Sequence, residues 1–425
     1  MIIHCSGIGG IGLSAYAAHM NAAGHTVSGS DKNDSVLLDD LRSQRIQVSL
    51  AQDGSAFPEK CDLLVYSEAI PASAPERTIA TERGVRQISY FRALGDMTAG
   101  TDLICICGTH GKSSTTAMVA KMLMDAGKDP NVVVGTKMRE LGGRNWRKGK
   151  GNLWVVESCE YRRSFHFLSP HIILLTNADG DHYDAYPTYE EYAQAFVEFV
   201  EKLPDSQPVI AHGNDAQSVA IIQQAKKKLM NADMQPLVPL GTPGLHMQQN
   251  AQLALALAEH LHLDAAAAKQ SLAGYSGTWR RMEKRGKTTN GIEIIDDYAH
   301  HPTEIRATLA ALRGAYPDHR LVTVFQPHTH DRTLRLWDEF TTAFKDTDVL
   351  LLAGIYDARP DTEKAQADPV TLGKEIHAKS NCQVINASAL QEAKTLLRTS
   401  VLQPNDLLIV MGAGNISSLA EKMTK

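Results

Sequence analysis

A short glycine-rich run that follows an apolar segment carries the strongest chemical signal in the sequence. Residues 103–107 are apolar, and G-T-H-G-K-S occupies positions 108–113. Backbone N–H groups at such a turn, and the dipole of a helix that begins there, attract anionic oxygens. A lysine at this place can reach β- and γ-phosphate oxygens, and the next hydroxyl can bind Mg²⁺. We therefore predict a tight phosphate loop for a nucleoside triphosphate. It consists of Gly108, Thr109, Gly111, Lys112, Ser113 and Ser114.

Acidic and histidine side chains follow two later apolar runs, and they are candidates for binding a metal ion. Glu157 ends the run that starts at Leu153, and Asp179, Asp181 and His182 follow a run that ends at residue 176. Ligands gather at the carboxyl ends of parallel strands, and Mg²⁺ prefers oxygen ligands. Either group alone could be an exposed loop acid. Together, after a phosphate loop, they favour a magnesium site.

The amino terminus carries a second glycine loop. Gly7, Gly9, Gly10 and Gly12 fit the pattern G-x-G-x-x-G after a short apolar run. This pattern is typical of a loop that binds a diphosphate at the start of a helix. Asp31 lies at the end of the next predicted strand, where it is either a ribose contact or a structural turn residue.

The elements that must position these loops alternate between strand and helix, which predicts α/β architecture with parallel sheets. Three such units follow one another, in agreement with about one domain per 150 residues. A linker-like run separates the first two units at residues 98–101, and the third starts near Gly286. The predicted strands are 1–5, 25–28, 63–66, 103–107, 153–157, 172–176, 292–295, 321–325, 349–352 and 407–411, and the predicted helices include 13–23 and 302–312.

Composition excludes several classes of protein. The chain has 425 residues, 43% of them hydrophobic, and a net charge of −5, so no charge excess indicates nucleic-acid or membrane binding. No apolar stretch is long enough for a membrane span, and the amino terminus does not resemble a signal peptide. Six scattered cysteines favour reduced thiols in a cytoplasmic protein. The basic segment 139–150 is interpreted as an exposed hairpin loop, or alternatively as a loop that contacts phosphate.

Taken together, these motifs resemble the Mur ligase family, and the resemblance covers nearly the whole chain. The third unit adds the run D-D-Y-A-H-H-P-T-E at 296–304, which resembles a stretch specific to the muramate–alanine branch of this family and its relatives. The other markers are Gly7–Gly12 with Gly29-Ser30-Asp31, Gly108–Ser113, Glu157–Phe165, Asp181-His182, Arg280-Arg281, Phe325–His328 and Met411–Gly414.

The resemblance implies three domains and an ATP-dependent ligase. The expected domains are a Rossmann-like UDP-sugar domain at 1–99, a P-loop-like ATP-binding domain at 100–280 and a Rossmann-like amino-acid domain at 281–425. The expected reaction joins an amino acid, L-alanine by resemblance, to UDP-N-acetylmuramate through an acyl phosphate in peptidoglycan synthesis. The expected cofactors are ATP and Mg²⁺, and the chain is expected to act as a monomer or homodimer.

The resemblance also implies roles for individual residues. Ser113, Glu157 and His182 would surround Mg²⁺, and Lys112 would hold the phosphates. Gly9, Gly10 and Gly12 would bind the UDP diphosphate, with Asp31 nearby. His246 and Asn250 would contact the adenine, Asp297 the ribose and Arg281 the phosphates. His301, His328 and Arg332 would lie near the incoming amino acid.

Several positions depart from the family pattern. Thr329 stands where the family has an arginine that pairs with the amino-acid carboxylate, and Arg162-Arg163 stand where it is neutral or acidic. Related ligases use a carbamylated lysine at a position that is Val197 here, so we predict none. Two alternatives stay open: a recycling ligase that attaches a preformed peptide to the same sugar, and a nucleotide-binding homologue without turnover.

Overall fold

The computed structural model describes residues 1–357 and 366–424. These residues form two compact units. The first unit comprises 1–180, 188–236 and 250–272, and the second comprises 181–187, 237–249 and 273 onward. No helix in the described ranges is both long and apolar enough to cross a membrane.

The first sheet of the first unit has the order expected for a Rossmann-like domain. Its five strands are parallel and are ordered β3-β2-β1-β4-β5. Successive strands are therefore added on one side of β1 and then on the other, so the strand order reverses at β1. The strands are β1 (Ile2–Ser6), β2 (Thr26–Ser30), β3 (Gln47–Ser49), β4 (Leu63–Tyr66) and β5 (Arg86–Ser89). The helices are α1 (Ile11–Ala22), α2 (Val36–Ser43), α3 (Pro75–Glu82) and α4 (Tyr90–Thr98).

The second sheet of the first unit is built around β6 (Asp102–Cys107), the strand that leads into the predicted phosphate loop. From its second residue onward β6 is buried, as its apolar sequence predicts for a central parallel strand. The order is β12-β11-β10-β6-β9-β7-β8, and β8 pairs antiparallel with β7. The strands are β7 (Asn131–Met138), β8 (Arg144–Arg147), β9 (Leu153–Glu157), β10 (Ile172–Leu175), β11 (Val209–Ala211) and β12 (Leu229–Asn231). The helices are α5 (Lys112–Asp125), α6 (Tyr189–Glu201) and α7 (Ala216–Gln224), together with α8 (Leu245–His260) and α9 (Ala265–Ala273), most of whose residues belong to the first unit.

The second unit contains a six-stranded sheet of order β13-β14-β18-β15-β16-β17, with β13 antiparallel at the edge. Aliphatic side chains of β14, β15, β16 and β18 form its core with α14 and α15. The strands are β13 (Glu283–Lys287), β14 (Glu293–Asp297), β15 (Arg320–Phe325), β16 (Val349–Ala353), β17 (Gln383–Ala387) and β18 (Asp406–Met411). The helices are α10 (Pro302–Ala315), α11 (His330–Arg335), α12 (Trp337–Thr341), α13 (Pro369–Ser380), α14 (Leu390–Leu396) and α15 (Ser417–Met423).

The predicted α/β class is confirmed, and each predicted strand is present to within two residues at either end. The antiparallel edge strands β8 and β13 were not predicted. The segment 139–150 does form a hairpin with β7, but it is not an exposed loop, because Asn145 and Trp146 of β8 are buried. All six cysteines are free thiols, as predicted.

Candidate active site

The phosphate loop has the predicted strand–turn–helix form. β6 ends at Cys107, and α5 begins at Lys112 with Gly111 as its N-cap at φ +80°. Gly108 has φ +134°, and a Cβ there would collide with the Thr176 hydroxyl and the backbone of Asn177. The two glycines are therefore required by backbone conformation and by close packing against the end of β10.

Side chains that follow β10 hold the loop in place. Asn177 Oδ1 accepts a hydrogen bond from the His110 N–H at 2.9 Å, and the Thr176 hydroxyl donates to the His110 carbonyl at 2.6 Å. The hydroxyls of Thr109 and Tyr192 share a buried hydrogen bond of 2.7 Å. These contacts fix the loop before any ligand binds. Asn250, expected at the adenine, packs its amide oxygen against Gly111.

The Lys112 ammonium is directed at protein oxygens. Nζ donates to the carbonyls of Gly108 at 2.5 Å and Thr109 at 3.0 Å, and to Glu160 Oε1 at 3.0 Å. Burial opposes the charged form, but the neighbouring acidic groups, Glu160 foremost, outweigh it and raise the pKa of Lys112. The lysine is therefore a fixed positive charge inside the loop.

Ser113 and Glu157 lie together beside the loop. The Ser113 hydroxyl donates to Glu157 Oε1 at 2.9 Å, and Glu157 Oε2 accepts from the Gly135 N–H at 2.6 Å. No group of three or more acidic, cysteine or histidine side chains suited to a metal occurs in the described residues. One hydroxyl and one carboxylate oxygen nevertheless fit Mg²⁺, which usually keeps several waters and takes phosphate oxygens as ligands.

The amino-terminal glycine loop is held by Asp31. Its Oδ2 accepts from the Gly9 N–H at 2.9 Å, and the Ser30 carbonyl accepts from the N–H groups of Gly7 and Ile8. Gly12 packs against Tyr90, whose ring would lie 2.6 Å from a Cβ at this position. Asp31 therefore has a structural role in the turn, and its contact with a ribose stays a prediction.

Helix α1, which starts at this loop, is bound to the β7–β8 hairpin. Asn145 Nδ2 donates to the Ile11 carbonyl and lies 3.2 Å from the Ser14 hydroxyl. The buried ring of His19 packs at 4.7 Å on Trp154 and lies 3.3 Å from the Asn131 amide oxygen. The hairpin thus braces the helix that follows the first glycine loop.

In the second unit, Asp297 is the last residue of β14, and its side chain accepts hydrogen bonds from backbone N–H groups. Its carboxylate accepts from the N–H groups of Met282 at 2.7 Å and Ala299 at 2.8 Å. Burial raises the pKa of Asp297 to about 6, although Arg281 opposes this shift. Arg281 itself lies over the Tyr298 ring and 3.9 Å from Glu304. Asp297 is thus a buried acid that is hydrogen-bonded to backbone N–H groups, and it lies near Arg281, which is predicted to contact the phosphates.

The start of α10 fixes His301, and Glu304 in its first turn also acts electrostatically on His246. His301 is its N-cap, accepts from the Thr303 N–H, and forms a capping box with Glu304. Burial lowers the pKa of His246 to about 4, against an opposing effect of Glu304. His301 therefore has a capping role, and its substrate contact stays a prediction.

Arg332 forms a forked ion pair in the second unit. Its Nε and Nη2 donate to Asp181 Oδ1 at 3.1 and 2.9 Å, Nη2 also reaches Oδ2 at 3.1 Å, and Nη1 lies 3.2 Å from His328 Nδ1. Burial opposes ionisation of Asp181, but Arg332 and nearby histidines outweigh it and hold its pKa well below the usual range. Thr329 caps α11 at φ +66°, a backbone region unusual for a β-branched residue.

Comparison with known proteins finds one family along most of the chain. Family models match at 2–101 (Mur ligase family, catalytic domain), 106–235 (Mur ligase middle domain) and 280–414 (Mur ligase, glutamate ligase domain). Relatives named UDP-N-acetylmuramate–L-alanine ligase include one from Lachnospira eligens, 36% identical over 100% of this chain and 98% of its own. Another, from Desulfosudis oleivorans, is 35% identical over 99% of this chain and 97% of its own. This chain belongs to the Mur ligase family.

A solved structure extends the agreement to the fold. The crystal structure of the UDP-N-acetylmuramate–alanine ligase of Thermotoga maritima superposes with a TM-score of 0.82 at 25% identity. The superposition covers 100% of this chain and 98% of the Thermotoga maritima chain. The predicted Mur ligase resemblance is therefore confirmed, while the domain boundaries at 99/100 and 280/281 and the residue roles stay predictions.

Within this Mur ligase, the structure brings some predicted site residues together. Lys112, Ser113, Glu157 and Asn250 meet at the phosphate loop in the first unit. His182 belongs to the second unit and has φ +58°, so the three-ligand magnesium set stays a prediction.

Sequence reasoning gave no role to several residues that support the site. Glu160 contacts Lys112, and Gly135 contacts Glu157. Thr176 and Asn177 contact the backbone of His110 inside the phosphate loop. The available signal was that Glu160 follows Glu157 by three residues and that Thr176 and Asn177 stand at the end of a predicted strand; Gly135 carried no such signal. That signal did not specify which loop atom each side chain would reach.

Proposed function

We propose that this chain is an ATP-dependent ligase that joins an amino acid, L-alanine as the first candidate, to UDP-N-acetylmuramate in cytoplasmic peptidoglycan synthesis. The observation that carries the proposal is the phosphate loop, with Lys112 inside it and the Ser113–Glu157 pair beside it. Full-length relatives that bear the name of this enzyme, at 35 and 36% identity, support it.

The first chemical step brings two anions together. The lactyl carboxylate of the sugar attacks the γ-phosphorus of ATP, which gives an acyl phosphate and ADP. Loop N–H groups and the Lys112 ammonium stabilise the charge on the transferring phosphoryl group. Ser113 and Glu157, with His182 by family likeness, would hold Mg²⁺, which offsets the repulsion between carboxylate and phosphate when bound.

The sugar nucleotide is assigned to the amino-terminal glycine loop. The start of α1 presents the N–H groups after Gly10, and a helix start attracts a diphosphate. Asp31 holds the Gly9 N–H and so sets the shape of the loop. Gly9, Gly10 and Gly12 would let the backbone approach the diphosphate closely.

The second step uses the carboxyl-terminal region. The neutral amine attacks the acyl carbon, the bond from that carbon to the phosphate oxygen breaks, and the nitrogen gives up one proton as phosphate leaves. His301, His328 and Arg332 are assigned to the incoming amino acid, and His246, Asn250, Asp297 and Arg281 to the nucleotide. Asp181 and His328 already contact all three nitrogens of Arg332, so a substrate carboxylate would meet a guanidinium that is largely engaged within the protein.

A second candidate acceptor follows from this arrangement. Thr329 cannot form the two-pronged contact by which arginine binds a carboxylate, and Arg332 already makes that contact with Asp181. In a preformed peptide the free carboxylate lies farther from the attacking amine than it does in L-alanine. Such a peptide is therefore the second acceptor to compare directly with L-alanine.

One assay separates these possibilities. ADP release is measured with ATP, Mg²⁺ and UDP-N-acetylmuramate, plus L-alanine, other amino acids or a tripeptide. We expect release with a single amino acid. Release with tripeptide alone would favour the recycling ligase, and no release with any acceptor would favour a homologue without turnover.

A further inference from the structure

Glu160 is a buried acid with no role in the reaction described above. Its side chain is 1% exposed, and its Oε1 lies 3.0 Å from Lys112 Nζ, whose side chain is 14% exposed. Glu160 follows Glu157 by three residues and directly precedes a 3₁₀ turn at Tyr161–Phe167. It therefore places a carboxylate next to the lysine that is assigned to the phosphates.

Within the part of the chain that the structure describes, the contacts of Lys112 engage as many oxygens as its ammonium has N–H groups. An ammonium has three N–H groups. Among the described residues, three oxygens accept hydrogen bonds from Nζ: the Gly108 carbonyl, the Thr109 carbonyl and Glu160 Oε1. A phosphate oxygen can bind the ammonium only if one of these contacts is released. Glu160 is the anionic partner among them, and so it competes most directly with a phosphate.

The backbone after Glu160 is built to keep the acid at this place. The Glu160 carbonyl accepts from the Arg163 N–H at 2.9 Å, and the Ser164 hydroxyl donates to the Tyr161 carbonyl at 2.5 Å. Arg162 and Arg163 both have a left-handed backbone, at φ +49° and +60°. Two adjacent non-glycine residues in this region are uncommon, and such strain occurs where the surrounding structure enforces it.

We propose that Glu160 is a positioning residue: a counter-ion that holds Lys112 on the loop and is exchanged for a phosphate oxygen when nucleotide binds. The proposal rests on the proposed function, in which this loop binds ATP. A lysine suits such an exchange, because its ammonium is a point charge on a flexible stem. Binding of a di- or triphosphate is therefore weakened by the contact that it must break.

The test compares nucleotide affinities of the full chain and its Glu160→Gln variant by calorimetry. Glutamine keeps the size of the side chain and removes its charge. We expect ADP and a non-hydrolysable ATP analogue to bind about tenfold more tightly, a gain of about 1.4 kcal/mol. Adenosine, which lacks phosphates, should bind as it does to the unaltered chain. Glu198→Gln is the matched control, because Glu198 pairs with Arg163 in the same region and does not contact the loop.

Unchanged or weaker binding of ADP by Glu160→Gln would overturn the proposal. The double variant Lys112→Ala/Glu160→Gln checks the route: once Lys112 is absent, the Glu160 change should have no effect on ADP affinity. A persisting effect would also overturn it. If Glu160→Gln does not fold, Glu160→Asp draws the carboxylate back by one methylene, and it should tighten ADP binding by a smaller factor.

Failure of the proposed function would look different. In that case the unaltered chain would bind neither ADP nor the ATP analogue, or Lys112→Ala would leave their affinities unchanged. Normal phosphate-dependent binding that requires Lys112 but ignores Glu160 rejects the counter-ion role alone.

Discussion

Two cations that the sequence assigns to substrate anions are each paired with a buried acid, one in each unit. Lys112 meets a single oxygen of Glu160 and two backbone carbonyls. Arg332 meets both oxygens of Asp181 through a planar fork, and its remaining nitrogen lies against His328. Lysine can turn away on its flexible stem, whereas the arginine fork loses several fixed hydrogen bonds at once. The comparison suggests an exchangeable pair at the phosphate loop and a structural pair in the second unit.

The largest expected effect comes from breaking the structural pair. Asp181→Asn should lower the free energy of unfolding by about 3–5 kcal/mol, because it leaves a buried guanidinium without its counter-charge. Denaturant titration followed by fluorescence measures the change. Asp331→Asn is the control: it breaks the exposed Asp331–Arg335 pair and should cost about 0–1 kcal/mol. Equal costs for the two variants would show that the Arg332 fork is not structural.

Removing the exchangeable cation should act on turnover instead. Lys112→Ala should reduce ADP release by about 10²–10³-fold, since the phosphoryl group loses a preorganised charge. Lys121→Ala is the control on the same helix, where Lys121 pairs with Asp125. Near-normal turnover of Lys112→Ala would reject the assignment of the phosphate loop.

These pairs also mark how far the sequence could lead. Residues 103–113 predicted the strand, the turn and the lysine, because a short apolar run, glycines and a lysine are signals that lie next to one another in the sequence. The partner acids were out of reach: Glu160 is 48 residues from Lys112, and Asp181 is 151 from Arg332. Pairing across such separations depends on strand order, and β6 lies beside β9 and β10 although β7 and β8 come between in the chain. The brace of Asn145 on α1 was missed for the same reason.

A buried acid held by amides should respond to pH in the way opposite to one held by arginine. The pKa of an unfolded aspartate is about 3.9, and burial raises that of Asp297 to about 6. Between these values the folded chain binds a proton that the unfolded chain lacks. The contribution of Asp297 to the free energy of unfolding is therefore fully present below about pH 4. It falls by about 3 kcal/mol as the pH rises through about 6.

Denaturant titrations at pH 4 to 7 on the unaltered chain and on Asp297→Asn check this sign. The stability of the unaltered chain relative to the variant should fall as pH rises, because asparagine does not titrate. A difference that stays level or grows with pH would mean that the two amide contacts of Asp297 outweigh its burial.

The smallest expected effect tests whether the loop must be held for Lys112 to act. The Gly108 and Thr109 carbonyls orient the ammonium, and Asn177 fixes this loop through the N–H and carbonyl of His110. Asn177→Ala should lower kcat/KM for ATP about tenfold, which corresponds to the loss of about one to two net hydrogen bonds. Asn152→Ala is the control and should leave kcat/KM unchanged, because the exposed Asn152 amide makes a single long hydrogen bond of 3.5 Å among the described residues, to the Gly100 carbonyl. If Asn177→Ala turned over ATP normally, the loop would owe its shape to its own glycines, and the exchange at Lys112 would need no support from β10.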